Sequence, residues 1–217
     1  MVSLNELLER VDVAFEARPA DIVGWVDPNP ERSPDDDAYS RVTNPERWRL
    51  IGARADAWTH TLTELGLARV DESTNVEWVS ERLASNLRGR TDLIVPTTPG
   101  ALCLVFARLS VEDAPDAGVV VGVGNPAELL VMVPDCGCDA CDSGSADALE
   151  ELDEHIINVV GGTYRRLSRG SKSVTATQNG WHAMGMNSRQ VKRMLARPAL
   201  QGARGWSEQT GPSWLTA

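Results

Sequence analysis

A chain of 217 residues with 42% hydrophobic and 24% charged side chains has the usage and length of a globular protein with one sizeable core, which excludes a disordered or low-complexity chain. No apolar run approaches the roughly 20 residues of a membrane span, and the amino terminus lacks the basic start and apolar block of an export signal, so a cytoplasmic setting is expected. The net charge of −10 conceals a division, because residues 1–160 carry 12 basic residues against 30 acidic ones while residues 161–217 carry nine against Glu208 alone.

Ser3 followed by Glu6 is a capping box, and Leu4, Leu7, Leu8, Val11 and Phe15 follow at helical spacing up to Pro19. That pattern predicts a helix over 1–18. Residues 19–43 hold turn clusters such as Asp27-Pro28-Asn29-Pro30 and Ser33-Pro34-Asp35-Asp36-Asp37, and so form a long irregular connection. The three adjacent aspartates lack the alternating oxygen spacing of a calcium loop and read as a solvated turn. Thr43 and Glu46 form a second capping box with Pro45 at the first helical position, and Trp48, Ile51, Ala55, Trp58, Leu62 and Leu65 step by three and four as far as Gly66. His60 falls off that stripe and receives no role. Strand-like runs follow at 76–79, 92–95, 102–109, 119–123 and 129–133, the last three joined by short turns as an antiparallel meander. Within them Cys103 reads as a small buried apolar residue.

A helix capped by Ser145 is expected to run through Leu149, Leu152, Ile156, Val159 and Val160, with acidic residues early and Arg165, Arg166 and Arg169 late, as the helix dipole favours. Residues 170–217 read as a basic tail. It contains a short helix over 188–197, ended by Pro198, and two tryptophans, Trp206 and Trp214, that suit docking on the body. An acidic body beside a basic segment forms a self-complementary pair or a partner-docking surface. The competing reading is nucleic-acid binding through Arg165, Arg166, Arg169, Lys172, Arg189, Lys192 and Arg193, which the scarcity of aromatic residues among them disfavours.

The chemistry concentrates between the last strand and the helix that follows, in Pro134-Asp-Cys-Gly-Cys-Asp-Ala-Cys-Asp142. Cys136, Cys138 and Cys141 give three soft ligands in C-x-C-x2-C spacing, suited to zinc. Candidates for a fourth ligand are Asp135, Asp139, Asp142, His182, Cys103 or a water. His155 is excluded because it lies about 15 Å along the helix from its start. Two alternatives stand beside the metal. Cys138 and Cys141 form a C-x-x-C ahead of a helix, as in thiol-disulfide redox proteins, although Asp135, Asp139, Asp142 and Asp147 raise thiol pKa values and favour a cation instead. The third reading is a set of turn residues with at most an incidental disulfide.

The stretch from Pro134 to Ser145, together with Ser40-Arg-Val-Thr-Asn-Pro-Glu-Arg-Trp48 and Gly211-Pro-Ser-Trp-Leu215, resembles an uncharacterised actinobacterial family of unknown function. The resemblance implies a bacterial cytoplasmic setting and brings no activity, ligand or catalytic residue with it.

The expected fold is α+β in one domain: an antiparallel sheet of four to five strands packed against two or three helices on one face. Residues 44–169 supply the core. No serine nucleophile turn, phosphate-cradling loop, paired-carboxylate signature or H-E-x-x-H occurs, and Gly122-Val-Gly124 lacks the following helix of a dinucleotide site, so an enzyme is not indicated. A structural zinc on the cysteine loop and a surface that recognises a protein or small ligand are the leading expectation.

Overall fold

Helix α1 (Leu4–Glu16) begins as its sequence dictates, with the Ser3 hydroxyl accepting the Glu6 amide at 3.2 Å and Leu7 and Val11 buried. The structure is a computed structural model that describes residues 2–31, 33–71, 76–87, 89–197 and 205–215. Helix α2 (Arg49–Glu64) follows a short 3-10 turn over Pro45–Trp48. The second capping box does not form. Asn44 adopts φ 54°, which turns Thr43 away from the helix, and Thr43 bonds Asp139 instead. Trp48, Ile51, Ala55, Trp58 and Leu62 are buried along one stripe, as their spacing requires.

Among the described residues the strands make two antiparallel sheets, and the architecture is α+β. The first sheet joins β1 (Ala68–Asp71), β2 (Thr91–Pro96), β3 (Leu104–Arg108), β4 (Val119–Val123) and β5 (Glu128–Val133) in sequential order. Its first strand is not the 76–79 run. That segment makes a single bridge, Trp78 to Ala127, and is followed by the short helix α3 (Glu81–Asn86), while the strand forms at Ala68–Asp71 directly after α2.

Alternation assigns the two faces. Ile94, Leu104, Phe106, Val119, Val121, Val123, Val131 and Val133 join the core shared with the helices, whereas Leu93, Val105 and Ala127 pack with Trp78, Val76, Val95 and Cys103 on the other side. Trp78 takes the place that a side chain at position 122 would occupy, since a Cβ on Gly122 would stand 2.8 Å from its ring.

Helix α4 (Ser145–Val160) packs on β4, β5 and α2 and ends at Gly161-Gly162. It does not continue to Arg169. Gly162, at φ 73°, turns the chain, and Arg165–Arg169 becomes strand β6, with Leu167 fully buried. The second sheet has the order β8 (Gly180–Met184), β7 (Lys172–Thr177), β6, β9 (Ser207–Thr210). With helix α5 (Ser188–Leu195), started by an Asn187/Gln190 capping box, it encloses a small core of Leu167, Val174 and Val191. Pro198, expected to stop α5, lies outside the described residues.

The carboxyl-terminal region therefore contributes a second sheet to the fold. Trp214 is 1% exposed within the main core, its amide donating to the Val160 carbonyl at 2.9 Å. Gln209 Nε2 donates to Val123 O at 3.1 Å, and Arg166 pairs with Glu128, so acidic and basic segments do meet at that seam. No helix among the described residues is long and apolar enough to cross a membrane.

Candidate metal centre

The loop between β5 and α4 is shaped by two glycines. Gly137 adopts φ 73°, and a Cβ there would lie 2.8 Å from Val111 Cγ1. Gly144 adopts φ 94°, with Asp27 N only 2.7 Å from the corresponding point. These turns bring the Sγ atoms of Cys136, Cys138 and Cys141 within 4.8 Å of one another. Cys136 and Cys138 approach to 3.2 Å as free thiols. Thiolates around a tetrahedral zinc stand about 3.8 Å apart, given Zn–S bonds of about 2.3 Å. The observed cluster brackets that spacing.

The thiols are not equivalent. Cys136 and Cys141 are exposed and Cys138 is buried. Burial works against a thiolate at Cys138, but hydrogen bonds from Cys136 and Cys141 and from the Cys141 and Ala140 amides outweigh it and lower its pKa. Cys141, bonded to Cys136 and Cys138 and repelled by their charge, is pushed up to about 12. A divalent cation supplies the positive charge that would release the retained protons.

The long amino-terminal connection clamps the loop from outside. Asp139 accepts from the Thr43 amide at 2.7 Å, from the Thr43 hydroxyl at 2.7 Å and from Arg41 Nε at 2.8 Å. Burial opposes its ionised form, yet the Thr43 hydroxyl and amide and the Arg41 guanidinium hold it at about 2. The wholly buried Asp142 carboxylate accepts from the Trp25 indole at 2.9 Å and the Gly144 amide at 2.9 Å, and lies 2.8 Å from Arg47 Nη2. The Arg47 guanidinium packs on the edge-to-face pair of Trp25 and Trp48, 5.5 and 5.7 Å from their ring centres. Backbone bonds from Asp139 N to Arg41 O and from Ala140 N to Ala38 O complete the attachment. At the start of α4 the Ser145 hydroxyl holds Trp25 backbone atoms and does not cap the helix.

Beside the thiols runs a cleft of about 340 Å³ lined by Trp48, Asp135, Cys136, Cys141, Asp147 and Glu151, among others. Reduced hydration, and then the charges of Asp135 and Glu154, raise the Glu151 pKa. Trp48 contributes a buried indole N–H with no acceptor among the described residues.

The match to a family model extends over residues 11–217 and so takes in the clamp, the cysteine loop and both sheets. The chain belongs to the Family of unknown function (DUF6226). No curated protein and no solved structure matches the chain.

The structure gathers Cys136, Cys138 and Cys141 and, among the described residues, adds no other Cys, His, Asp or Glu atom to the group. Asp139 and Asp142 are committed to the clamp, which also removes two of the four negative charges expected to bear on the thiols. Cys103 belongs to the opposite face of the sheet. His182 is exposed on β8, and His155, half-buried on α4, stands outside the group. Of the basic residues, Arg165 is engaged by Glu208 and by the Leu195 and Arg197 carbonyls, and Arg166 by Glu128 and Thr175. The sequence reading missed Trp25, Arg41, Thr43 and Arg47. An aromatic residue and two arginines close to a run of turn residues were the available signal.

Proposed function

We propose that this protein is a non-enzymatic, zinc-binding member of its family, working in a reducing cytoplasm, with Cys136, Cys138 and Cys141 as the metal ligands. The observation that carries the reading is the convergence of three sulfur atoms within 4.8 Å in a loop whose backbone is fixed by contacts of its own. A preformed site loses little conformational freedom on binding, and binding releases thiol protons to the buffer. The outer strand β8, from whose opposite faces the exposed Trp181 and Met184 project, is the edge offered to a protein partner.

The redox reading fits less well. The thiol with the lowered pKa, Cys138, is the buried one, while the accessible Cys141 holds its proton, the reverse of what an attacking thiolate needs. Titrating the metal-free, reduced protein with zinc against a coloured chelator tests the proposal. One equivalent should bind, and a Cys138→Ser variant with unchanged circular dichroism should not compete. Equal competition by that variant would refute the assignment.

A further inference from the structure

Cys136 and Cys141 line the cleft that also receives Asp135, Asp147 and Glu151, and all five are exposed. Three protein sulfurs leave a zinc-like ion one position short of its usual four. Among the described residues no fourth donor stands with them, and of the three carboxylates adjacent to the cysteines in sequence Asp139 and Asp142 are tied to Arg41, Thr43, Arg47 and Trp25, while Asp135 lines the cleft. The clamp also means that the loop has its shape without a metal to staple it. A buried structural zinc has neither feature.

We propose that the cysteine centre is an exchange site for a soft or borderline divalent cation. It holds the ion by three thiolates, with the fourth position open to the acidic cleft through which the ion enters and leaves. This rests on the metal-binding reading above and states what kind of site it is.

Charge supports the direction of access. Carboxylates at the mouth concentrate cations and raise their rate of arrival. Three thiolates on a divalent ion leave one net negative charge, so beside those carboxylates the open position takes a neutral donor such as water or an imidazole nitrogen in preference to an anion. On uptake each ligating thiol gives its proton to the buffer, and no electron is transferred.

Cobalt(II) is the probe, because its visible bands report coordination directly. The full chain is loaded with one equivalent under anaerobic conditions and titrated with imidazole. Uptake is then timed by stopped flow for the wild type and for an Asp147→Asn/Glu151→Gln variant, whose two positions are exposed and outside the clamp. The expected results are bands that shift saturably with imidazole, a variant with unchanged stoichiometry and starting spectrum, and uptake slowed about tenfold at low salt but less at high salt. Bands indifferent to imidazole, with cobalt released only on unfolding, would overturn the inference while leaving the metal site intact. So would a changed starting spectrum in the variant, or in Asp135→Asn, since a carboxylate would then be the fourth ligand. Failure to bind cobalt at all would overturn the metal reading and this inference with it.

Discussion

Replacing Asp139 by asparagine separates a loop shaped by the protein from one shaped by its metal. Asparagine keeps an acceptor for the Thr43 amide but presents an NH2 group where Oδ2 now accepts from the Thr43 hydroxyl and from Arg41. A hydrogen bond to a charged partner contributes about 1.5–3 kcal/mol. The pair with Arg41, whose side chain is 53% exposed, is screened by solvent and adds little to that. The expected loss is therefore about 2–3 kcal/mol in urea unfolding of chelator-treated protein, with the slope against urea unchanged. The pH dependence follows from the Asp139 pKa, about 2 in the folded protein against about 3.9 in an unfolded chain. A carboxylate with a depressed folded pKa contributes stability that is present above the unfolded value and lost as the pH falls through the folded one. The gap between wild type and Asp139→Asn should thus be full above about pH 5, shrink below about pH 4, and vanish below about pH 2. A metal-free variant within about 0.5 kcal/mol of metal-free wild type at neutral pH, the range of an inert surface change, would refute the clamp.

Three further outcomes are expected. Arg54→Met should cost about 3 kcal/mol in urea unfolding, because it removes the guanidinium that holds Asp153 at 2.6 Å and leaves that largely buried carboxylate with the Trp58 indole as its donor. Gly122→Ala should cost about 1–3 kcal/mol by pressing on the Trp78 ring, and a Gly122→Ala/Trp78→Ala double variant should show a non-additive recovery of part of it. Alkylation of the metal-free protein, followed by mass spectrometry, should label the exposed Cys136 before the buried Cys138 and before Cys141, which holds its proton, and one equivalent of zinc should protect all three.

Helix periodicity carried α1, α2 and the first four turns of α4, because each buries a continuous stripe of local spacing, and the apolar runs carried β2 to β5 for the same reason. Errors arose where a pattern served two structures. Arg165-Arg-Leu-Ser-Arg169 suits the last turn of a helix as well as a strand with one buried residue, and only the Gly161-Gly162 turn decides between them. Thr43-x-x-Glu46 suits a capping box until Asn44 turns Thr43 toward an aspartate 96 residues away. The cysteine cluster was legible because its three thiols are neighbours in sequence. Its clamp was not, since the bond from Trp25 to Asp142 spans 117 residues and depends on packing that local spacing does not encode.

Elemental analysis of untagged, chelator-free protein, with free thiols counted before and after denaturation, tests the metal centre most directly. About one zinc per chain is expected, with few reactive thiols in the folded protein and four after denaturation in the presence of a chelator. No bound metal, with the exposed Cys136 reacting at once in the folded protein, would contradict it.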